Sequence, residues 1–471
     1  LNEHVTAHSR PSVAGAGSVG TLYFQSAGAP SELWITSHGT AMDSWREGWG
    51  AAVETPIDPR ASSVVEVGRL TVSDEWVVAR IEDNATIRGH DVSVINGAVL
   101  THAPPTADAV FALELELSGT LTIDADSAID VTERGYPGQK TLGNTTVGGA
   151  KAGGGGSYGG LGYNNGANST YGHSLNPREH GSGGAKALSD GHGGGGLVRI
   201  HAATALIDGT IRANGGDGTY YYAMTGGSGG GILLDVDAWS GNGRLEADGG
   251  DGNYGYYGSS GGGGGGGRIA VYISEAAGRS TPILSAGGGT EGSGDGDPGT
   301  TRIQEAPILW WDGPAVAAFD ESGQLAWELM GAPNGATVTL RAIAADGATT
   351  DIAVDQPQWG EVNWNTSALP EGRYTVIAAW SDGTRQNPGR ASREVIIAHA
   401  AALHAGEIAE SATWDADRLH VLAGPVLIPD GVTVTLAAGT VVKAVAGSSI
   451  TVADGGTLVT EGTAETTAGL T

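Results

Sequence analysis

Five aspartates and six tyrosines are the residues whose types and spacing could bind a ligand. The aspartates lie in or beside two Gly-Gly-Asp-Gly motifs and one acidic loop, and they are Asp217, Asp248, Asp251, Asp295 and Asp297. Carboxylate and carbonyl oxygens are ligands that Ca²⁺ takes in proteins. The nonapeptide form of calcium-binding repeats is not met, and Asp-Gly pairs also form turns. We expect turn residues, with Ca²⁺ binding as the alternative and no required cofactor.

Tyrosines follow both Gly-Gly-Asp-Gly motifs at equivalent places. They are Tyr220, Tyr221 and Tyr222 after the first motif, and Tyr254, Tyr256 and Tyr257 after the second. Repeated tyrosines can stack on sugars or on a protein surface, because the ring is apolar and carries a polar hydroxyl. They can equally form a small core against neighbouring glycine segments. Both interpretations stand, so the tyrosines are candidate residues for binding a glycan or a protein partner.

Three further aspartates are candidates for catalysis. We expect Asp124, Asp126 and Asp130 to lie on successive rungs, an arrangement that could serve acid/base or metal chemistry. However, no Lys or Arg cluster that would stabilise a uronate accompanies them. The nearby Glu114 and Glu116 alternate with leucines, as on a solvated strand face.

Three histidines share one long insertion, residues 141–194. His173, His180 and His192 are separated by 7 and 12 residues, and these spacings match no metal-ligand motif. Polar loop residues are the default interpretation. The Gly-x-Gly-x-x-Gly strings of the glycine runs open no helix followed by lysine, so phosphate binding is not supported.

The elements that must position these residues are strands. Apolar and polar residues alternate at period two from about residue 60 onward. Residues 193–218 align with 226–252, and a third copy begins at 261 and ends at 296, with a spacing of about 34 to 38 residues. Periods of this size indicate stacked supersecondary units. The pattern predicts an all-β chain whose first part is a parallel β-solenoid.

Glycine is the second organising feature. The chain has 82 glycines among 471 residues, and 53 of them lie between residues 135 and 299. A flexible linker is one interpretation, but a linker has no reason to keep a period. The other is a set of polyproline-II-type glycine helices, packed side by side, whose neighbours pair each backbone donor and acceptor. We favour packing for 193–296 and leave both interpretations open for 141–192.

These glycine-rich repeats resemble modules of very large bacterial surface and secreted proteins. The resemblance covers roughly residues 60–300 and rests on segments such as GTIRANGGDG and GGGGGGGRIAVYIS. The packing class is similar to the polyglycine-II-type domains of glycine-rich receptors and phage tail fibres. It implies an architecture, and no catalytic residue transfers from it.

The rest of the chain resembles two other bacterial modules. WNTSALPEGRYTVIAAWSDG, at 364–383, resembles Ig-like domains of bacterial surface proteins, which implies a β-sandwich spacer. LIPDGVTVTLAAGTVVKAV, at 427–445, resembles the first coils of right-handed parallel β-helices in bacterial secreted proteins. We predict an N-terminal entry over 1–59, a glycine-rich solenoid over 60–304, an Ig-like sandwich over 305–400 and a partial β-helix over 401–471.

Composition narrows the function. With 24 basic and 52 acidic residues the chain carries a formal charge of −28, which argues against nucleic-acid partners. No stretch is apolar enough for membrane insertion, and the absence of cysteine suits a bacterial exported protein. Both ends of the sequence suggest a segment of a longer chain.

We expect an extracellular, non-enzymatic structural and adhesive segment that meets a surface glycan or protein. The alternatives are a self-assembling filament subunit, whose partners are copies of itself, and a carbohydrate-active β-helix enzyme.

Overall fold

A computed structural model describes most of the chain. The residues that it describes are 20–24, 31–36, 53–58, 63–151, 153–163, 166–185, 191–218, 225–254, 260–274, 281–290, 292, 294–304, 307–313, 316–383, 386–399, 401–445, 448–462 and 469–470. These residues form strands and turns without a helix, so the predicted all-β class is confirmed. Accordingly, no helix within these ranges could span a membrane. The chain divides into two units, Leu1–Ala306 and Pro307–Thr471.

The first unit contains two extended sheets. Its strands β1–β16 are Gly20–Phe24, Glu32–Thr36, Val53–Ile57, Val64–Ser73, Val77–Ile81, Thr86–Ile95, Val99–His102, Ala112–Ile123, Ala128–Asp130, Leu197–Ile207, Thr210–Arg212, Gly231–Ser240, Arg244–Glu246, Arg268–Ile273, Ile283–Ser285 and Thr300–Gln304. One sheet runs β1-β2-β4-β6-β8-β10-β12-β14-β16, and the other runs β3-β5-β7-β9-β11-β13-β15. From β2 onward, consecutive strands therefore alternate between the two sheets.

Parallel pairing joins these strands in both sheets, apart from the antiparallel β1–β2 pair. Leu197 pairs with Gly231, 34 positions later, and Gly231 pairs with Arg268, 37 positions later. The strand register therefore agrees with the repeat length predicted from the sequence. Each repeat adds one strand to each sheet.

Aliphatic side chains stack in register to form the core between the two sheets. One column consists of Ile87, Leu115, Ile200, Leu234 and Val271, each fully buried. Because side chains alternate along a strand, the residues between them point to the other face of the sheet.

On β8 that other face carries Glu114 and Glu116, as the sequence predicts. Arg88 bridges Glu116 at 2.7 Å and Glu66 at 3.2 Å on the neighbouring strands. This face is therefore an outward, charge-paired surface.

Further along the same sheet both faces are buried, because the long insertion packs on the outer one. In β10 the outward side chains Leu197, Arg199 and His201 are all buried. Arg199 Nη1 donates to the carbonyl oxygen of Pro177 at 2.6 Å, and the Tyr272 hydroxyl donates to that of Leu175 at 2.6 Å. The insertion is thus a covering layer where the structure describes it.

Glycine segments pair with one another through their backbones beside the strands. We call the segments 153–156, 159–162, 181–184, 193–196, 213–218, 226–231, 247–252, 261–267, 286–289 and 294–299 the glycine lattice. A continuous relay of N–H to carbonyl bonds of 2.8–3.0 Å runs through Gly193, Gly216, Gly227, Gly250, Gly264, Gly289 and Gly296. At most lattice positions an added Cβ would lie closer than 3.0 Å to a neighbouring backbone atom. The lattice is therefore packed, and its spacing leaves no room for side chains.

The second unit also consists of strands. Its strands β17–β32 are Ile308–Asp312, Val316–Phe319, Ser322–Met330, Thr337–Ala344, Thr349–Gln356, Trp359–Asn365, Gly372–Ser381, Gln386–Ile397, Ala401–Glu407, Ala412–Trp414, Leu419–Ile428, Thr433–Leu436, Val441–Ala444, Ile450–Val452, Thr457–Thr460 and Gly469–Leu470. The sheets β17-β19-β22 and β18-β24-β23-β20-β21 are mainly antiparallel and share one core. The later strands form two parallel sheets, β25-β27-β29-β32 with β30 on β27, and β26-β28-β31.

An aromatic cluster anchors the antiparallel part. The Tyr374 hydroxyl donates to the Pro370 carbonyl oxygen at 2.9 Å, and its ring meets Trp364 edge-on at 6.0 Å between centroids. The Pro370 turn and Trp364, both within the segment that resembles Ig-like domains, therefore pack together at the start of β23.

Candidate functional site

Three stacked corners carry the chain from the longer sheet of the first unit to the shorter one. They consist of residues 74–76, 96–98 and 124–127, which connect β4 to β5, β6 to β7 and β8 to β9. Asp74, Asn96 and Gly97 have φ values of 85°, 60° and 84°. Asp, Asn and Gly adopt this left-handed conformation more readily than other residues, which explains the local sequence.

Side chains of each corner pair with the backbone or side chains of its neighbour. Asp124 Oδ2 accepts a bond from the Asn96 backbone N–H at 2.6 Å, and Ser127 Oγ accepts one from the Gly97 N–H at 3.0 Å. Asn96 Nδ2 in turn donates to Ser73 Oγ at 2.9 Å. The corners are therefore held in register by short polar side chains.

A groove of about 620 Å³ opens on these corners. Its lining combines the exposed side chains of Glu75, Trp76, Asn96 and Asp126 with a floor of valines that includes Val78 and Val99. Val78 and Val99 are paired neighbours on β5 and β7. The groove is the place in the described first unit where an exposed tryptophan, carboxylates, an amide and apolar surface face one space.

Trp76 is the unusual residue of the groove. Its φ is 68° and 39% of its surface is exposed. A bulky side chain in the left-handed region is a conformational outlier, and such outliers cluster at functional sites. Trp76 was not predicted as a site residue from the sequence. The sequence does contain one indication of it, because a tryptophan ends a Ser-Asp-Glu-Trp turn between two strands, where small polar residues are usual.

The three aspartates considered for catalysis do not lie on successive rungs, so that expectation was wrong. Asp124 and Asp126 lie in the four-residue corner between β8 and β9, and Asp130 is the last residue of β9, so all three belong to one rung. Asp124 is bonded to the Asn96 backbone, and Asp130 accepts from Arg212 Nη1 at 3.4 Å and from the Thr132 N–H at 2.9 Å. Asp126 alone of the three lines the groove.

Aspartates of the Gly-Gly-Asp-Gly tips bond to the next rung. Asp217 Oδ1 accepts from the Asp251 N–H at 2.8 Å, and Asp251 Oδ1 accepts from the Thr290 N–H at 2.6 Å. A parallel column runs from Asn214, whose side chain accepts from the Asp248 N–H at 2.8 Å, to Asp248, which accepts from the Gly287 N–H at 2.6 Å. These side chains cap backbone donors between repeats.

The remaining candidates stay predictions. Asp295 and Asp297 are exposed, and within the described ranges no group of three or more His, Asp or Glu side chains has the arrangement of a metal site. Tyr254 is 63% exposed. The other predicted tyrosines lie outside the described residues; they are Tyr220, Tyr221, Tyr222, Tyr256 and Tyr257.

The three insertion histidines have separate partners. His173 Nδ1 accepts from the Leu175 N–H at 3.1 Å, and His180 Nε2 bonds to the Phe111 carbonyl oxygen at 2.7 Å. His192 Nδ1 bonds to Glu133 Oε1 at 2.6 Å, and this carboxylate raises the His192 pKa. Each histidine therefore bonds to a different residue, as expected of polar residues in the insertion.

Beneath the insertion lies a buried group of aromatic and basic residues. Arg268 Nη2 donates to the Tyr171 carbonyl oxygen at 2.7 Å, and its guanidinium lies 5.3 Å from the Tyr158 ring centroid. Burial raises the pKa of both tyrosines and lowers that of Arg268. Burial also lowers the pKa of His102 to about 3 and that of His180 to about 4. This sealed group joins the insertion to the sheet.

No protein-family model matches this chain, and no curated protein or solved structure matches it significantly.

Proposed function

We propose that this chain is a non-enzymatic structural and adhesive segment of a large, exported bacterial surface protein or extracellular fibre. The observation that carries the structural half is the glycine lattice, in which backbone groups pair directly from segment to segment. Buried backbone donors and acceptors must be paired, and here neighbouring repeats pair many of them backbone to backbone, while Asn and Asp side chains cap others. Such a body resists local bending, which suits a load-bearing spacer.

In this proposal the first unit is a β-solenoid with polyglycine-II-type packing. The alternation of strands between two parallel sheets and the repeat register of 34 to 37 residues support it. The second unit is an Ig-like sandwich followed by the first coils of a right-handed parallel β-helix. The Trp364–Tyr374 pair and the parallel strands after Ala401 support this half of the proposal.

For the adhesive half of the proposal, the exposed surface of the solenoid binds the partner. The partner is a surface glycan or protein. Two of the three aspartates considered for catalysis are bonded within the framework, which favours binding over hydrolysis. The tip aspartates Asp217, Asp248 and Asp251 accept backbone N–H bonds. Turn capping is therefore their proposed role, and no cofactor is needed for it.

Limited proteolysis combined with hydrogen exchange tests the structural half. Amides of the lattice that donate to other segments, such as those of Gly227 and Gly264, are expected to exchange slowly. Protease sites in 193–218 and 226–252 are expected to resist cleavage. Rapid cleavage throughout these segments, or exchange as fast as in an unstructured peptide, would show that the lattice is not a packed body.

Calcium is tested in the same assay. If capping is the role of the tip aspartates, removing Ca²⁺ with a chelator leaves the protection of the lattice unchanged. A loss of protection that added Ca²⁺ restores would assign the tips to metal binding.

A further inference from the structure

The groove at Trp76 combines features of a ligand site that the glycine lattice does not explain. It is open to solvent and has a volume of about 620 Å³, which lies within the range of small-molecule sites in proteins. It also lies across successive corners, since Trp76, Asn96 and Asp126 come from three different connections. A ligand in the groove would therefore run from rung to rung.

We infer that this groove binds a short oligosaccharide of neutral or amino sugars. The inference rests on the adhesive role proposed above and identifies its site and ligand class. The groove is distinct from the tyrosines predicted from the sequence, none of which is among its described lining residues.

The tryptophan is the first reason. One face of a pyranose ring is lined by C–H groups, and an exposed indole offers a flat apolar surface of matching size. Asn96 and Gly97, at the equivalent corner one rung later, show that Asn or Gly suits this kind of turn. Trp76 has a left-handed backbone conformation at a position where a smaller residue would suffice. This indicates that the indole ring itself has a function.

The polar lining is the second reason. Carboxylates accept hydrogen bonds only, whereas an amide both donates and accepts. Glu75 and Asp126 can accept from sugar hydroxyl or ammonium groups, and the Asn96 side-chain amide can pair with a hydroxyl in either sense. The floor at Val78 and Val99 offers apolar contact beside these groups. Apolar surface with a few placed polar groups is the usual make-up of a ligand pocket.

Charge restricts the ligand further. The groove is lined by two carboxylates and by no Lys or Arg among its described lining residues. A uronate, sialate or sulfated sugar would meet like charges, which disfavours binding. An amino sugar would meet opposite charges, and a neutral sugar would meet hydrogen-bond acceptors. The groove therefore selects against anionic glycans.

Isothermal titration with defined tetrasaccharides tests the inference. The probes are the tetramers of β-1,4-linked glucose, N-acetylglucosamine and glucosamine, with tetragalacturonate as the anionic comparison. The test variant is Trp76→Gly, because glycine adopts a φ of 68° without strain. The control is Leu206→Ala, which removes an exposed apolar side chain of β10 that lies outside every candidate site. Thermal melts check that both variants fold.

We expect the unchanged protein to bind at least one neutral or amino-sugar tetramer and to reject tetragalacturonate. Trp76→Gly should weaken binding by about tenfold or more through loss of the stacking surface. Leu206→Ala should bind normally. The double variant Glu75→Gln with Asp126→Asn should lose the discrimination against tetragalacturonate.

Three results would overturn the inference. They are absence of binding by the unchanged protein, retention of binding by Trp76→Gly, and loss of binding in Leu206→Ala alone. In the last two cases the adhesive function would be retained, but its binding site would lie elsewhere. The structural half of the proposed function is tested separately, by proteolysis. Mass spectrometry of the sugars after incubation detects any cleavage. Cleavage products that form with the unchanged protein but not with Trp76→Gly would confirm the sugar site and overturn the non-enzymatic role.

Discussion

Replacing Gly250 by alanine should disrupt the glycine lattice more than any surface substitution. A Cβ added at Gly250 would lie 2.0 Å from the carbonyl oxygen of Gly216 and 2.5 Å from its carbonyl carbon. The neighbour is backbone, so it cannot rotate away as a side chain would. Relief requires that the two segments separate.

The magnitude follows from the clash and from the bonds to other segments that are strained when Gly250 moves away from Gly216. Forcing one extra methyl group into close packing costs about 1–3 kcal/mol. The Gly250 N–H donates to Gly227 at 2.8 Å, and its carbonyl oxygen accepts from Gly264 at 2.9 Å. Each of these bonds contributes about 0.5–1.5 kcal/mol net. We therefore expect a loss of about 2–6 kcal/mol in the free energy of unfolding of the first unit.

Gly287→Ala is the matched control. Gly287 lies in the same lattice, but a Cβ there meets only Asp248 Oδ1, at 3.4 Å, which is ordinary contact. Both substitutions reduce the entropy of the unfolded chain by the same amount, worth about 0.4–1 kcal/mol in favour of alanine. The difference between the two variants in the free energy of unfolding therefore reports the packing cost alone. Gly287→Ala should be as stable as the unchanged protein, or slightly more stable.

Hydrogen exchange followed by mass spectrometry in increasing urea measures both effects. It resolves the peptides of the lattice from those of the second unit, which serve as an internal reference. In Gly250→Ala, protection should fall first at the amide of residue 250, which donates to the Gly227 carbonyl oxygen, and at that of Gly264, which donates to the carbonyl oxygen of residue 250. If Gly250→Ala and Gly287→Ala differ by less than about 0.5 kcal/mol, close backbone packing is not what stabilises this region.

Two further predictions concern polar groups of the first unit. Because burial lowers the His102 pKa to about 3, the unfolded chain takes up a proton near pH 6.5 that the folded chain does not. His102 should thus lower stability by about 1.4 kcal/mol for each unit that the pH falls from 6.5 to 4, in addition to the contribution of His180, whose pKa burial also lowers. His102→Leu should flatten this slope in thermal melts; an unchanged slope would contradict the assignment. Asp248→Ala should cost about 1–3 kcal/mol by orphaning the Gly287 N–H and the Ser285 hydroxyl, whereas Asp248→Asn should cost less. Equal urea midpoints for the two Asp248 variants would refute the capping role.

The strands were predictable from the sequence because their signal is local. Alternation at period two identifies the face of β8 that carries Leu113 and Leu115, and the repeat fixes which residue pairs with which. The period also locates the tip aspartates at equivalent positions. Their role as caps could not be inferred, because the repeat places Asp217 and Asp251 on successive rungs but does not show that the Asp217 carboxylate accepts from the Asp251 N–H.

Burial of both faces of β10 was not predictable. A strand with Arg199 and His201 on one face suggests solvent on that side, yet both residues are buried. The covering layer comes from the insertion, whose contacts, such as Pro177 with Arg199, follow no period. Trp76 was missed for a related reason, since backbone conformation at a single corner leaves no repeat in the sequence.

The framework and the groove place different demands on sequence. At Gly250 or Gly264 any side chain meets backbone, so positions of this kind in the lattice tolerate no substitution. In the corners, the register is held by Asp124 and Ser127, whereas the groove is lined by Trp76, Asp126 and their neighbours. Residues that face the ligand can therefore change while the corner bonds stay intact. A body of this kind can acquire a new binding specificity without altering the packing that stabilises it.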